Sequence, residues 1–139
     1  MRKAISAIVV SVATTAGFTI TAVPAAATAN SQCPDGKVCL YDGLSWNSGL
    51  AGNLDLWSDI TASQADLRKY YWHNASGAIT DHSVQDDITS LKNRTDCWIY
   101  LFNDIDFGEL LASVGPGVYL GNLGTHGMNN NITSIMFVC

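Results

Sequence analysis

The sequence predicts an all-β sandwich made of two similar halves, and three observations carry that prediction. The hexapeptide Gln85-Asp86-Asp87-Ile88-Thr89-Ser90 returns 44 positions later as Asn129-Asn130-Asn131-Ile132-Thr133-Ser134. Short runs of β-branched and aromatic residues alternate with glycine and asparagine turns, at roughly the 8–12-residue spacing of sandwich strands. Four cysteines, Cys33, Cys39, Cys97 and Cys139, bracket the later part of the chain. In an oxidising compartment such an even count forms disulfides.

Taken in order, the chain opens on an address. Arg2 and Lys3 precede an apolar run, Ala4 to Val23, and Ala27-Thr28-Ala29 makes a small-x-small processing site. Residues 1–29 are therefore predicted to be a signal peptide, and residues 30–139 a single secreted, extracellular domain. The apolar run is long enough to raise a membrane-anchor reading. Thr14, Thr15, Gly17, Thr19 and Thr21 dilute it, however, and the processing site follows at once. The exported part keeps five basic residues (Lys37, Arg68, Lys69, Lys92, Arg94) and all 12 acidic ones, a formal charge of −7. Such a surface repels phosphate backbones, which argues against a nucleic-acid partner. With no second apolar run, the cleaved chain is expected to be a soluble monomer without membrane attachment.

The first strand is Val38-Cys39-Leu40-Tyr41, entered through Cys33-Pro34-Asp35-Gly36. Tyr41-Asp42-Gly43-Leu44-Ser45-Trp46 then describes a folded hairpin, two rings able to stack across a turn whose glycine takes positive φ. Gln64 to Tyr70 alone looks helical, one or two turns at most, with Ser63 as its cap. The first hexapeptide closes this half, about 33–94. The second half, 95–139, repeats the plan: a strand over Cys97–Phe102, a hairpin over Phe102–Gly108, and a last strand over Ile132–Val138. From the leading aromatic to the hexapeptide is 44 positions in the first half (Tyr41 to Gln85) and 27 in the second (Phe102 to Asn129). The extra 17 residues are placed within Ser58–Val84.

Three disulfide pairings are open on sequence alone. Cys33–Cys39 with Cys97–Cys139 is favoured, because the second bridge pins the last residue against fraying. The spacing fits no zinc pattern.

The hexapeptides resemble the calcium motif of the βγ-crystallin family, Asn/Asp-Asn/Asp-x-x-Ser/Thr-Ser. Asn129 to Ser134 fits throughout; Gln85 departs at the first position. The resemblance implies a βγ-crystallin-like Greek-key sandwich whose motifs exchange ligands across a pseudo-two-fold axis. Carried over, the side-chain ligands are Asp86 with Thr89, and Asn130 with Thr133, for up to two Ca2+ ions. Calcium takes 6–8 hard oxygens in adaptable geometry. The neutral second motif is expected to bind more weakly. Asx and Ser/Thr side chains also cap turns without any ion, and Ser90 and Ser134 are read as ties for the hairpins above them.

The opening Cys33-Pro34-Asp35-Gly36-Lys37-Val38-Cys39-Leu40-Tyr41 is similar to that of secreted microbial metalloproteinase inhibitors built on one such domain. This implies a protease partner, a metalloprotease first, met by an exposed loop. No motif transfers the inhibitory residues, so that loop is unknown; Asn93-Arg94-Thr95-Asp96 and Tyr70-Tyr71-Trp72-His73 are the candidates considered. Two rival functions stand beside it. One is a calcium-binding extracellular module without inhibition. The other is a toxin-like or carbohydrate-binding sandwich using exposed aromatics such as Trp57 and Trp72. Catalysis is not expected: His73, His82 and His126 are scattered, and Asp81-His82-Ser83 cannot converge when neighbours in a strand face opposite ways. Asp104 and Asp106 are better explained by the hairpin turn, and the sequon Asn74-Ala75-Ser76 is short enough to arise by chance.

Overall fold

The computed structural model describes residues 33–50 and 52–139. The signal peptide expected at 1–29, and the start of the exported domain at 30, lie outside the described residues. Among those described there are nine strands: β1 (Val38–Tyr41), β2 (Trp57–Ile60), β3 (Tyr71–His73), β4 (Ile79–Ser83), β5 (Ser90–Asn93), β6 (Trp98–Phe102), β7 (Leu110–Val114), β8 (Tyr119–Leu120) and β9 (Ser134–Val138). They form a six-stranded sheet, β4-β3-β2-β1-β5-β8, and a three-stranded sheet, β7-β6-β9. Every pairing is antiparallel. Among the described residues, no helix is long and apolar enough to cross a membrane.

The central strands explain their own composition. β1 is buried at all four positions. Val38 and Leu40 face the core between the sheets, while Cys39 and Tyr41 lie outside it under Trp46 and Trp57. A strand covered on both faces reads as an unbroken apolar run. In β6 the alternation is plain: Ile99 and Leu101 are wholly buried, while Trp98 and Tyr100 point the other way. Burial of each such aliphatic side chain contributes roughly 1.5–3 kcal/mol.

The two halves complete each other's sheets. β8 belongs to the second half yet pairs with β5 of the first. In return Gln64 bridges Ile135 of β9, with N–H···O distances of 2.7 and 2.9 Å. The equivalence extends to single hydrogen bonds. Thr89 N–H donates to Tyr41 O at 2.9 Å, as Thr133 N–H does to Phe102 O at 2.9 Å. Leu123 N–H donates to Thr89 O at 2.9 Å, as Leu67 N–H does to Thr133 O at 2.9 Å.

Three sequence expectations need correction. The stretch 64–70 is helical only over a 3-10 turn, Leu67–Lys69, and its cap is Asp66, which accepts from Arg68 N–H. Ser63 instead accepts from Phe137 N–H, because Gln64 is taken by the bridge to β9. The last strand begins at Ser134, two residues late, since Ile132 and Thr133 still belong to the turn. The hairpin glycines are the third case. Positive φ falls on Ser45, Trp46 and Asn47 in one hairpin and on Asp106 and Phe107 in the other. Gly43 is needed for room: a Cβ there would lie 2.6 Å from Leu50 Cδ1 and 2.7 Å from Asn47 Oδ1. At Gly108 it would lie 2.6 Å from Asp104 Cβ.

The two bridges are Cys33–Cys39 and Cys97–Cys139, as favoured from the sequence. Strand directions place both hexapeptides and both folded hairpins at one end of the sandwich. The turns after β5 and β7 and the Cys97–Cys139 bridge lie at the other. Twelve of the 17 extra residues of the first half lie between Leu67 and Gln85, 18 positions against 6 from Leu123 to Asn129, and form the β3–β4 hairpin, which widens the larger sheet at its edge and has no counterpart in the second half. The expectation that all of them fall within Ser58–Val84 holds only for these: the connection from Tyr41 to its partner Trp57 is also longer than that from Phe102 to its partner Leu110.

Candidate functional site

Each hexapeptide is a turn held by its own last residue. Ser90 Oγ donates to Gly43 O at 2.6 Å and accepts from Trp46 N–H at 3.0 Å. Ser134 Oγ repeats this with Asp104 O at 2.6 Å and Phe107 N–H at 3.2 Å. Both serines are fully buried. The hydroxyls tie down the folded hairpins, as read from the sequence, and are engaged without an ion. The second position has a backbone reason for its residue type. Asp86 and Asn130 sit at φ 54° and 59°, left-handed values that Asp and Asn tolerate best among residues with a Cβ.

Of the four expected cation ligands, Asp86 and Thr133 meet across the halves. Thr133 Oγ1 donates to Asp86 Oδ1 at 3.0 Å, and Asp86 N–H reaches Ile132 O at 3.2 Å. Asp86 of one motif thus meets Thr133 of the other. The reason is the strand exchange, which sets each turn beside the other half's turn. The remaining carboxylate oxygen of Asp86 accepts from Gln85 Nε2 at 2.7 Å. In the second motif the Asn130 side chain is exposed. Asn129 Oδ1 is buried and has no hydrogen-bond partner among the described residues. Leu123 N–H, beside it on the 3-10 turn, holds the carbonyl of Thr89.

Of the groups a hard cation would need, a carboxylate and a hydroxyl oxygen lie in contact at Asp86 and Thr133, and the Asn129 amide oxygen is buried without a partner among the described residues. Among the described residues, no three His, Cys, Asp or Glu side chains converge as ligands. An ion here would be held mainly by amide, hydroxyl and carbonyl oxygens, which suits Ca2+ and not a soft metal.

The third position of the first hexapeptide serves the inserted hairpin. Asp87 Oδ2 accepts from Trp72 Nε1 at 3.0 Å and lies 3.3 Å from His82 Nε2. Burial, then the Asp87 carboxylate, raise the Asp42 pKa above the usual carboxylate value, and His82 offsets part of that. Asp81, His82 and Ser83 form no triad: the His82 ring turns to Asp87, and its backbone N–H to Thr80 Oγ1 at 3.2 Å.

Neither loop considered from the sequence is a free binding loop. Asn93 is fully buried and acts as a clamp. Its Nδ2 donates to Cys97 O at 2.9 Å and Gly115 O at 2.9 Å, and its Oδ1 accepts from Thr95 N–H and Oγ1 at 3.1 and 2.7 Å. Only Asp96 of that turn is exposed. In Tyr70–His73, Trp72 is 0% exposed, and Trp57 stacks on His73 at 4.9 Å. Trp72 is therefore a core residue and no carbohydrate platform.

What the sequence reading passed over is the tip of the inserted hairpin. Asn74 Oδ1 accepts from Ser76 N–H, Ser76 Oγ and Ala78 N–H at 3.0, 2.7 and 3.1 Å, and Gly77 takes φ +81°. An Asx residue followed by glycine between two strand-like runs is a readable turn signal. Considered as a sequon, Asn74 hid it.

A model of peptidase inhibitor family I36 matches residues 26–114 of the chain. No curated protein matches it. Among solved structures, one concerned with the evolution of the eye lens βγ-crystallin domain fold is similar at 20% identity and a TM-score of 0.56. It covers 77% of this chain and 89% of that one. A βγ-crystallin from Ciona intestinalis is 19% identical with a TM-score of 0.52, over 74% and 100% of the two chains. Spherulin 3a from Physarum polycephalum is 20% identical with a TM-score of 0.51, over 77% and 87%. At these identities the likeness is one of fold: the sandwich is βγ-crystallin-like.

Proposed function

Because the chain belongs to peptidase inhibitor family I36, we propose that it is a secreted inhibitor of extracellular metalloproteases on a calcium-stabilised domain. The family is one of inhibitors and not of enzymes, and it implies a protease partner. Membership is the observation that carries the reading. Metalloproteases are put first because the Cys33–Tyr41 opening is similar to that of microbial metalloproteinase inhibitors. Secretion is supported by the two disulfides, which persist in oxidising compartments. An inhibitor must present a preordered surface, so that little conformational freedom is lost on binding. The strand exchange, the Asn93 clamp and the two bridges supply such a frame.

Calcium would act as a stabiliser. The Thr133 hydroxyl, now donating to Asp86, would turn so that both oxygens offer lone pairs to the ion. Asp86 and Thr133 would hold one ion with neighbouring carbonyls; Asn130 and Thr89 would serve the other, with Asn129 added.

The test is direct. The purified exported chain, 30–139, is mixed at stoichiometric excess with a thermolysin-type protease, and peptide hydrolysis is followed. Slowed hydrolysis is expected. An unchanged rate there, with inhibition of a serine protease instead, would remove the metalloprotease assignment. The Asp86–Thr133 contact favours a second reading, a calcium-binding extracellular module without a protease target. Calcium-dependent unfolding with no inhibition of any protease would establish that reading.

A further inference from the structure

The two halves fasten equivalent strand ends by different chemistry. Counted from the tied serines, Ser90 and Ser134, β5 and β9 run in step: Leu91 matches Ile135, Lys92 matches Met136 and Asn93 matches Phe137. The end of β5 is held by hydrogen bonds. Asn93, fully buried, donates from Nδ2 to the carbonyls of Cys97, Val114 and Gly115 and accepts from Thr95. Phe137 has no polar side chain with which to make such a clamp, and its N–H is taken by Ser63 Oγ at 2.9 Å. Beyond it, Val138 pairs with Trp98 of β6, and the Cys97–Cys139 bridge closes the end. One strand end thus rests on a buried amide, the other on a covalent bond that thiols can open.

The two bridges also differ in access. Cys33 and Cys39 are each 3% exposed and pack with Tyr41 against Trp46 and Trp57. Cys139 is exposed and Cys97 half-buried. Both line a cavity of about 450 Å³, bounded also by Thr61, Ser63, Asp96 and Phe137, a size that admits small molecules. Thiol–disulfide exchange needs a thiolate to reach a sulphur, so exposed bridges are the labile ones and buried bridges resist. Charge works against that ranking. Asp35, near the first bridge, is paired with Arg94, whereas the exposed Asp96 beside Cys97 repels an incoming thiolate. An exposed carboxylate is largely screened by salt, however, while a buried sulphur is not reached at all. Access decides.

We propose that Cys97–Cys139 is a redox latch, independent of any protease target. A dithiol reductant opens it while Cys33–Cys39 stays closed, and the chain stays folded with the end of β9 released. The reductant's thiolate attacks Cys139 Sγ, the S–S bond breaks, and the electron pair leaves on Cys97 Sγ, which takes a proton. The reductant's second thiol then attacks the mixed disulfide and frees Cys139, which takes the second proton. Two electrons and two protons pass from the dithiol to the bridge, and the reductant leaves as its own disulfide. Folding survives because the contacts that interlock the halves, Gln64 with Ile135 and β5 with β8, contain no cysteine. What is lost is the fastening of Phe137 and Val138, so opening becomes local to that strand end.

The experiment treats the oxidised exported chain with dithiothreitol, alkylates samples over time, and reads by peptide mass spectrometry which cysteines carry label. Cys97 and Cys139 should label roughly 10-fold or more faster than Cys33 and Cys39. Amide hydrogen exchange is then followed on the chain with only the second bridge open. Phe137 and Val138 should exchange roughly 10-fold or more faster than in the oxidised chain, with Leu91 and Lys92 of β5 unchanged. The variant carrying both Cys97→Ser and Cys139→Ser should show the same local opening with no reductant present. Equal labelling rates for the two bridges would overturn the proposal. So would loss of protection at every amide together once the second bridge opens, or full protection of Phe137 and Val138 in the serine variant.

Discussion

Replacing Ser90 by alanine deletes one hydroxyl and strands two backbone groups. In the folded chain that oxygen donates to Gly43 O and accepts from Trp46 N–H, in a site with no exposure. The Cβ remains, so little packing is lost, and the effect isolates the hydrogen bonds. A buried backbone group left unpaired costs about 1–3 kcal/mol, so two such groups predict a loss of about 3 kcal/mol. For a domain of this size the unfolding entropy near the midpoint is about 0.2 kcal/mol/K, which converts the loss into a fall of about 15 °C. Thermal unfolding followed by circular dichroism, with disulfides intact, reads the shift. Ser134→Ala, whose hydroxyl ties Asp104 O to Phe107 N–H, should fall by a similar amount. A loss below ~1 kcal/mol in both would refute the reasoning. It would mean that the hairpins hold themselves through their own turn residues.

Calcium at 100 times its dissociation constant should add ~2.7 kcal/mol to stability. Calorimetric unfolding with calcium and with chelator should show Asp86→Ala or Thr133→Ala removing more of that gain than Asn130→Ala, since only the first pair includes a carboxylate. Tyr41 should be the last of the five tyrosines to ionise. Burial first, then the Asp55 and Asp59 carboxylates, hold its phenol well above the ordinary tyrosine value. A raised folded pKa means the stability it contributes is intact below about pH 10 and declines above it, as the unfolded chain ionises first. An ultraviolet titration should therefore show one phenol released only with alkaline unfolding. Opening the Cys97–Cys139 bridge, which spans 42 positions, should cost about 4 kcal/mol by loop-closure entropy. The short Cys33–Cys39 loop should cost about 2 kcal/mol, and denaturant midpoints of the two serine pairs would rank them.

Much of the frame was legible because it is written twice. The repeated hexapeptide and the paired aromatics marked two halves, and the terminal serines were correctly read as ties. Facing was less legible. Trp72 could be named among exposed aromatics in one rival reading because a three-residue strand, with aromatic neighbours on both sides, does not say which face is inward. Residue order alone sets Asp86 near Thr89; the contact of Asp86 with Thr133 exists only because Gln64 and β8 cross between sheets. Gly43 and Gly108 were assigned to positive φ when crowding required them; a one-dimensional string carries the absence of a side chain but not what would occupy its place. The Asn74 turn could have been found from its Asx-x-x-Gly pattern.

The exchange of β8 and Gln64 between sheets has one more consequence. Neither half can peel away without breaking the other's ladder, so separating the halves is not a cheap partial opening. Protease attack on a folded protein usually proceeds through such local openings, at a rate set by how often they occur. A chain that opens only as a whole exposes its backbone rarely. For a molecule that works among active proteases, this interlocking is what would let it outlast the encounter.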